Sequence, residues 1–177
     1  VQPVCTIVFG VDTLAELPGY IRSYHGTRVF CVCDQGIRNT NIITSLTDTL
    51  EKQGIFYTIF DGVSPDAPDS VVNAAAKLAR ENHSDLVVGI GGGSSMDTAK
   101  AISVLLDNPG TISDYYARNT SEFSSRIPLI LLPTSSGTGS EVTGLCVIHD
   151  TASHAKIPVY RSANLAIVDP MLTVSAP

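Results

Sequence analysis

Charge is scarce in this 177-residue chain: Asp, Glu, Lys and Arg together make up 16% of it, against roughly a quarter in ordinary globular proteins. Apolar residues reach 44%, and a chain so apolar and so poor in charge is not intrinsically disordered. Long hydrophobic runs are missing too. The stretch 128–133 (PLILLP) falls far short of the roughly 18 residues that cross a bilayer, which excludes a spanning helix. No basic segment precedes an apolar one at the start, and the first residue is Val1 rather than Met. We therefore expect the trimmed start of a cytoplasmic protein without a signal peptide. Basic residues number 11 against 17 acidic ones, for a net charge of −6, and they are scattered singly. Without a phosphate-neutralising stripe, nucleic acid is not an expected partner. Cys5, Cys31, Cys33 and Cys146 lie in apolar stretches and form no C-x-x-C pair, which predicts buried thiols in a reducing compartment rather than a disulfide or zinc framework. The four histidines fall at no ligand spacing on any predicted helix, so no metal site is expected within the chain. A G-x-S-x-G elbow, an internal repeat and a low-complexity linker are all absent.

What is present is an alternation of short apolar strands and amphipathic helices. Strands are predicted at 4–9, 29–33, 55–60, 85–90 and 127–132, with later ones near 146–149 and 165–168. Between them, Leu14, Leu17 and Ile21 recur at helical spacing, with Pro18 expected to kink or restart that helix. Ile43, Leu46 and Leu50 share one face of a second helix that Gly54 should stop. Asp69 is expected to cap a third, whose Val72, Ala75, Ala76 and Ala79 follow the i, i+3, i+4, i+7 rule. A fourth is expected over about 94–106, with Met96, Ala99, Ile102 and Leu106 turned inward. Wholly apolar strands separated by helices describe a parallel sheet covered on both faces. The polar stretch 150–155 reads as a β-hairpin excursion near the C-terminal end.

Two loops and one aspartate stand out chemically. Gly91, Gly92, Gly93 and Ser94 lie between a buried strand and a helix start, where free backbone N–H groups and the helix dipole favour an anion. Glycines let a pyrophosphate approach those amides. The motif is neither G-x-G-x-x-G nor a P-loop; the competing reading is a tight turn, and Asp97 fits a capping box with Ser94. Asp34 ends the second strand, at the sheet edge where doubly wound folds bind ligands. There a carboxylate would accept from both adenosine ribose hydroxyls and repel a 2′-phosphate, favouring NAD over NADP. A plain helix N-cap is the alternative. The acid precedes the glycine loop, the reverse of the usual Rossmann order, so any dinucleotide fold here must be a variant. The third feature, 133–141 (PTSSGTGSE), follows another apolar strand and can wrap a phosphate or ribose with hydroxyls and amides while bringing little charge.

Taken together, 91–100 (GGGSSMDTAK), 133–143 (PTSSGTGSEVT) and 166–170 (AIVDP) with Leu172 and Thr173 resemble the iron-containing (group III) alcohol dehydrogenases, and the resemblance runs along essentially the whole chain but to the N-terminal half of the family. It implies a single NAD(P)-binding domain over 1–177, an α/β, variant Rossmann-like, doubly wound, mainly parallel sheet. In it Asp34 matches the family's ribose acid, and Gly91, Gly92, Gly93, Ser94 and Ser95 its pyrophosphate turn. Thr134, Ser135 and Thr138 would touch the cofactor from the second loop, and Lys156 matches a lysine that reaches the nicotinamide-side ribose. Asp66 and Ala67 stand where the family usually carries Asn and Pro, which leaves contacts from 61–67 open. The resemblance further implies a metal-dependent enzyme passing hydride between NAD, less readily NADP, and a small alcohol or aldehyde. Its iron or zinc would be bound by a helical second domain that this chain lacks, leaving the chain alone inactive and its catalytic and metal residues elsewhere. Relatives of this kind are often homodimers. The alternatives are a stand-alone nucleotide-binding module and a relative of the glycerol dehydrogenase or dehydroquinate synthase type.

Overall fold

Residues 5–174 are described by a computed structural model, and they form one parallel sheet of six strands plus a separate two-stranded hairpin. The sheet comprises β1 (Thr6–Phe9), β2 (Arg28–Val32), β3 (Phe56–Phe60), β4 (Leu86–Gly91), β5 (Leu129–Pro133) and β8 (Leu165–Val168). Its helices are α1 (Leu17–Ser23), α2 (Gln35–Arg38), α3 (Asn41–Lys52), α4 (Asp69–Glu81) and α5 (Gly93–Asp107). The hairpin pairs β6 (Leu145–Asp150) with β7 (Ala155–Tyr160). Of the predicted first strand, Val4 lies outside the described residues.

Local signals place most element ends. Pro18 sits in the first turn of α1, where its missing N–H costs nothing, so it restarts the helix after a 3-10 turn, Thr13–Glu16. At the end of α3, Gly54 takes a left-handed φ of +67°. Its N–H bonds to Glu51 O and that of Ile55 to Leu50 O, both at 3.0 Å, the paired bonds of a Schellman stop. Asp69 is not the cap of α4. Pro68 holds that position, and Asp69 Oδ1 instead accepts from the Thr151 N–H at 3.2 Å and hydroxyl at 2.8 Å, so the side chain ties α4 to the hairpin. The expected hairpin excursion is present, but its second strand is not among those expected from the sequence. The polar stretch after β6 leads not into β8 but into β7, which pairs antiparallel with β6, His149 opposite Lys156. Pro158 within it masks the strand pattern.

The strand order is β1-β8-β5-β4-β2-β3. From β2 the chain steps outward to β3, then crosses back to lay β4 on the other side of β2. That is the 2-1-3-4-5 order of doubly wound sheets with β1 added at the far edge, and it puts the topological switch point between β2 and β4. The β2–β4 register, Val32 opposite Gly89, brings the carboxyl ends of those two strands side by side. On one face Val29, Cys31, Val88 and Ile90 pack against Leu17 and Ile21 of α1 and Leu46 and Leu50 of α3. On the other, Phe30, Val32, Val87 and Leu131 meet Ala75 and Ala79 of α4 and Met96, Ala99 and Ile102 of α5. The hairpin then covers the outer side of α4 and α5 through Cys146, Ile148, Ile157 and Val159. Helix α5 is thus enclosed on both sides, which places the turn before it at the centre of the molecule.

Candidate functional site

The site begins where β4 turns into α5. Gly91 adopts a φ of +142°, and a Cβ there would stand 2.7 Å from Ser95 Oγ, so this position takes glycine for conformation and for space. Gly92 is the N-cap of α5 and supplies no side-chain cap; no acidic residue lies in the first turn. A helix of 15 residues therefore presents its first N–H groups and positive dipole end unneutralised at the switch point, the arrangement that binds anions elsewhere. A Cβ on Gly92 or Gly93 would reach 3.4 Å from Ser135 Oγ or 3.3 Å from Thr138 Cγ2, so these two glycines keep open the space between the turn and the second loop.

Asp97 does not cap this helix. Its carboxylate turns away, accepting from the Ser140 hydroxyl at 2.7 Å and the Val147 N–H at 3.2 Å. The capping-box expectation fails because the second loop and the hairpin supply the donors.

The second loop leaves β5 beside the turn. Gly91 pairs with Pro133, and the Thr134 N–H donates to Gly91 O at 3.0 Å. Thr134 is buried, Ser135 half-buried and Thr138 exposed, and Thr138 Oγ1 accepts from the Ser140 N–H at 3.4 Å. Gly137 and Gly139, with φ of +111° and +63°, turn the loop back over the glycine turn.

Asp34 follows β2 across the switch point. The N-cap reading holds: Oδ1 caps α2 by accepting from the Ile37 N–H at 2.7 Å, while Oδ2 takes no hydrogen bond from the described residues. Helix α2, so capped, lies next to the turn, Ile37 Cγ1 being 3.7 Å from where a Gly91 Cβ would stand. Arg38, one turn on, is drawn to Asp61 at 3.7 Å.

Lys156 arrives from β7 by way of a residue the sequence left open. Its ammonium donates to Asp66 Oδ1 at 3.0 Å, and the Asp66 N–H donates to Ser94 Oγ at 3.1 Å. Asp66 and Ala67 have φ of +64° and +48°, two consecutive left-handed residues without glycine, and such strain persists only where the surroundings fix it. Here the His149 N–H holds Ala67 O at 3.1 Å. A proline at position 67 could not adopt that φ, so Ala67 in place of the expected Pro belongs to this shape of the loop.

The thiols stand apart from this chemistry. All four are free and buried, and burial pushes Cys31, Cys33 and Cys146 up to about 12, the Cys33 thiol further opposed by the Asp61 and Asp34 carboxylates.

A parallel α/β sheet with an open helix N-terminus at its switch point, faced by a hydroxyl-rich loop and a carboxylate, defines a Rossmann-like nucleotide-binding architecture. Comparison with known proteins narrows it. The family model described as iron-containing alcohol dehydrogenase matches residues 5–170. The NAD-dependent methanol dehydrogenase of Bacillus methanolicus is 34% identical over 173 residues, 96% of this chain and 45% of that protein. The choline dehydrogenase of Bacillus subtilis (strain 168) is 38% identical over 176 residues, 97% of this chain and 44% of that protein. Among solved structures, sulfoacetaldehyde reductase from Bifidobacterium kashiwanohense in complex with NAD+ superposes with a TM-score of 0.91 at 32% identity, over 100% of this chain and 47% of that one. The chain belongs to the iron-containing alcohol dehydrogenase family. It spans about half the length of these relatives, matching their N-terminal part.

Proposed function

We propose that these residues form the nicotinamide-nucleotide-binding half of an alcohol dehydrogenase. The observation that carries the reading is the uncapped, charge-free N-terminus of α5 at the β2/β4 switch point. In this reading the N–H groups after Gly92 hold the pyrophosphate, with Gly91 shaping the turn and Ser94 and Ser95 in its first helical residues. Thr134, Ser135 and Thr138 close over it from the second loop. Asp34 accepts from the adenosine ribose through Oδ2 and disfavours a 2′-phosphate, so NAD is preferred to NADP. Lys156, steadied by Asp66, donates to the ribose on the nicotinamide side. A nicotinamide held there exchanges hydride with the carbinol or carbonyl carbon of a small alcohol or aldehyde. The names of the methanol dehydrogenase and the NAD+-bound reductase support that chemistry.

The family name implies iron. Among the described residues no group of three or more His, Cys, Asp or Glu side chains could hold a metal, so these residues do not make that site and no step here runs through it. We place the divalent metal, iron or zinc, together with most substrate contacts, on residues outside this chain, and we expect the chain alone to bind nucleotide without turning over alcohol. Homodimeric assembly and a cytoplasmic location belong to the same reading; among the described residues no helix is long and apolar enough to cross a membrane.

Titration of the 177-residue chain with NADH and, separately, NADPH, followed by nicotinamide fluorescence at fixed salt, tests the proposal. Saturable binding with NADH the tighter ligand is expected. A folded chain that binds neither nucleotide would refute it.

A further inference from the structure

Lys100, on the outer side of α5, is fully buried and forms no salt bridge among the described residues. The site described so far does not use it. Its ammonium is surrounded by oxygens of a single segment: it donates to Ser140 O at 2.5 Å, Thr143 O at 3.0 Å, Thr143 Oγ1 at 3.1 Å and Leu145 O at 2.9 Å. Three carbonyls and a hydroxyl converging on one cation resemble the shell of a bound monovalent ion, with the ion tethered to a helix. One turn earlier on the same helix, Asp97 takes the Ser140 hydroxyl and the Val147 N–H.

We propose that Lys100 is a positioning residue for nucleotide binding: its ammonium is the tethered cation around which 140–145 is wound, and that winding aims Thr134, Ser135 and Thr138 at the glycine turn. The proposal rests on the nucleotide-binding reading above. Three observations carry it. The bonded oxygens all belong to the segment running from the loop into the first residue of β6, none to the six-stranded sheet or to α4. The loop itself contains two left-handed glycines, Gly137 and Gly139, with nothing packed within 4 Å of where their side chains would begin, so its course is set from its ends. One end is the Thr134 N–H bond to Gly91 O, and the other is Lys100. A buried ammonium is costly compared with a well-packed apolar side chain, and among the described residues no carboxylate comes within 4 Å to pair with it directly, which argues for a role beyond packing. Desolvation lowers the Lys100 pKa below its ordinary value, opposed by Cys146, Asp97, Cys5 and Glu141, the groups that face it. Glu141 belongs to the same segment, and its Oε2 is buried without a hydrogen-bond partner among the described residues.

The test uses three variants of the 177-residue chain. Lys100→Met keeps the length and removes the charge. Lys100→Ala opens the cation position to ammonium ion. Thr143→Val deletes one acceptor from an exposed residue outside the hydrophobic core. Dissociation constants for NADH and amide hydrogen exchange are measured for each. We expect Lys100→Met and Lys100→Ala to weaken NADH binding at least tenfold and Thr143→Val about threefold, with faster exchange at 134–145 and unchanged protection in β4. Ammonium chloride, but not sodium chloride at equal ionic strength, should restore affinity to Lys100→Ala and leave Lys100→Met as it was. Affinity and loop exchange within twofold of the parent in Lys100→Met would overturn the proposal. A Lys100→Met chain that unfolds beside a Thr143→Val chain that binds as the parent does would overturn it too, assigning Lys100 to the fold alone. A parent chain that binds no NADH removes the nucleotide-binding reading, and this proposal with it, before any variant is compared.

Discussion

Asp34 caps α2 through Oδ1, and the proposed ribose contact falls to its other oxygen, so the two roles can be tested apart. Removing the side chain removes the α2 cap, which with glycine in its place costs only about 0.3 kcal/mol, and with it the acceptor at Oδ2. Asp34→Gly is therefore expected to weaken NADH binding and raise the NADPH-to-NADH affinity ratio, with a small loss of stability seen in urea unfolding. An unchanged ratio would make Asp34 a cap and nothing more. The cysteines supply a second expectation at this scale. Burial pushes Cys31, Cys33 and Cys146 up to about 12, and the thiolate is the reactive form. In the folded chain at pH 8 these three should resist a disulfide reagent over hours, then react at once in denaturant. Fast labelling of any of them in the native chain would contradict the packing described. At this scale the sequence was most legible where residue type and backbone demand coincide, as at Gly91 and Gly54. It misled where a side chain had two local uses. Asp97 stands three residues after Ser94, the spacing of a capping box, yet its partners come from residues more than forty positions away.

The β4–turn–α5 unit depends on two close approaches. A Cβ on Gly89 would stand 2.6 Å from Ala99 Cβ and 2.9 Å from Leu131 Cδ2, closer than carbon atoms tolerate, so Gly89 lets α5 lie down on the sheet. Gly89→Ala should cost about 1–3 kcal/mol in unfolding free energy through overpacking, and NADH affinity should fall only as far as α5 is displaced. Gly93 lies on the open side of the same unit. A valine there would crowd Thr138 and fill the space between the loops, so Gly93→Val should abolish detectable nucleotide binding, while circular dichroism and unfolding stay near those of the parent. Opposite patterns in the two variants would reverse the assignment of packing and binding glycines. The elements themselves were legible from periodicity, because strands buried on both faces and helices with one apolar stripe leave distinct patterns. Strand β7 was not, since its Pro158 and its alternating exposure carry no buried run.

For the molecule as a whole, acid is the expected weakness. Burial alone would raise the Asp107 pKa, but hydrogen bonds from the Ser124 hydroxyl and the Arg126 N–H outweigh it and hold the carboxyl below its usual 3.8. Asp150 is lowered in the same direction by Ser153 and Tyr116. A group depressed in the folded state adds stability that is complete above the unfolded pKa and is lost as pH falls through the folded one. The melting temperature should therefore hold from neutrality to about pH 4 and drop below it. Asp107→Asn should lower the unfolding free energy by about 1–2 kcal/mol at pH 7 and reduce that acid slope; a parallel slope in the variant would remove Asp107 from the account.

By itself the sequence determined the repeating strand and helix pattern, the burial of the thiols and the glycine turn, because each depends on residues close together in the chain. It also carried the family, since three motifs in fixed order are hard to meet by chance. Only the tertiary structure decided how an acid that precedes the glycine turn can share its site. Crossing back from β3 sets β4 beside β2, so the order along the chain and the order across the sheet differ. The same folding brought Asp66 between Lys156 and Ser94 and wound 140–145 around Lys100. Those contacts join residues 28 to 90 positions apart, and side-chain chemistry at such separations leaves no periodic mark in the sequence.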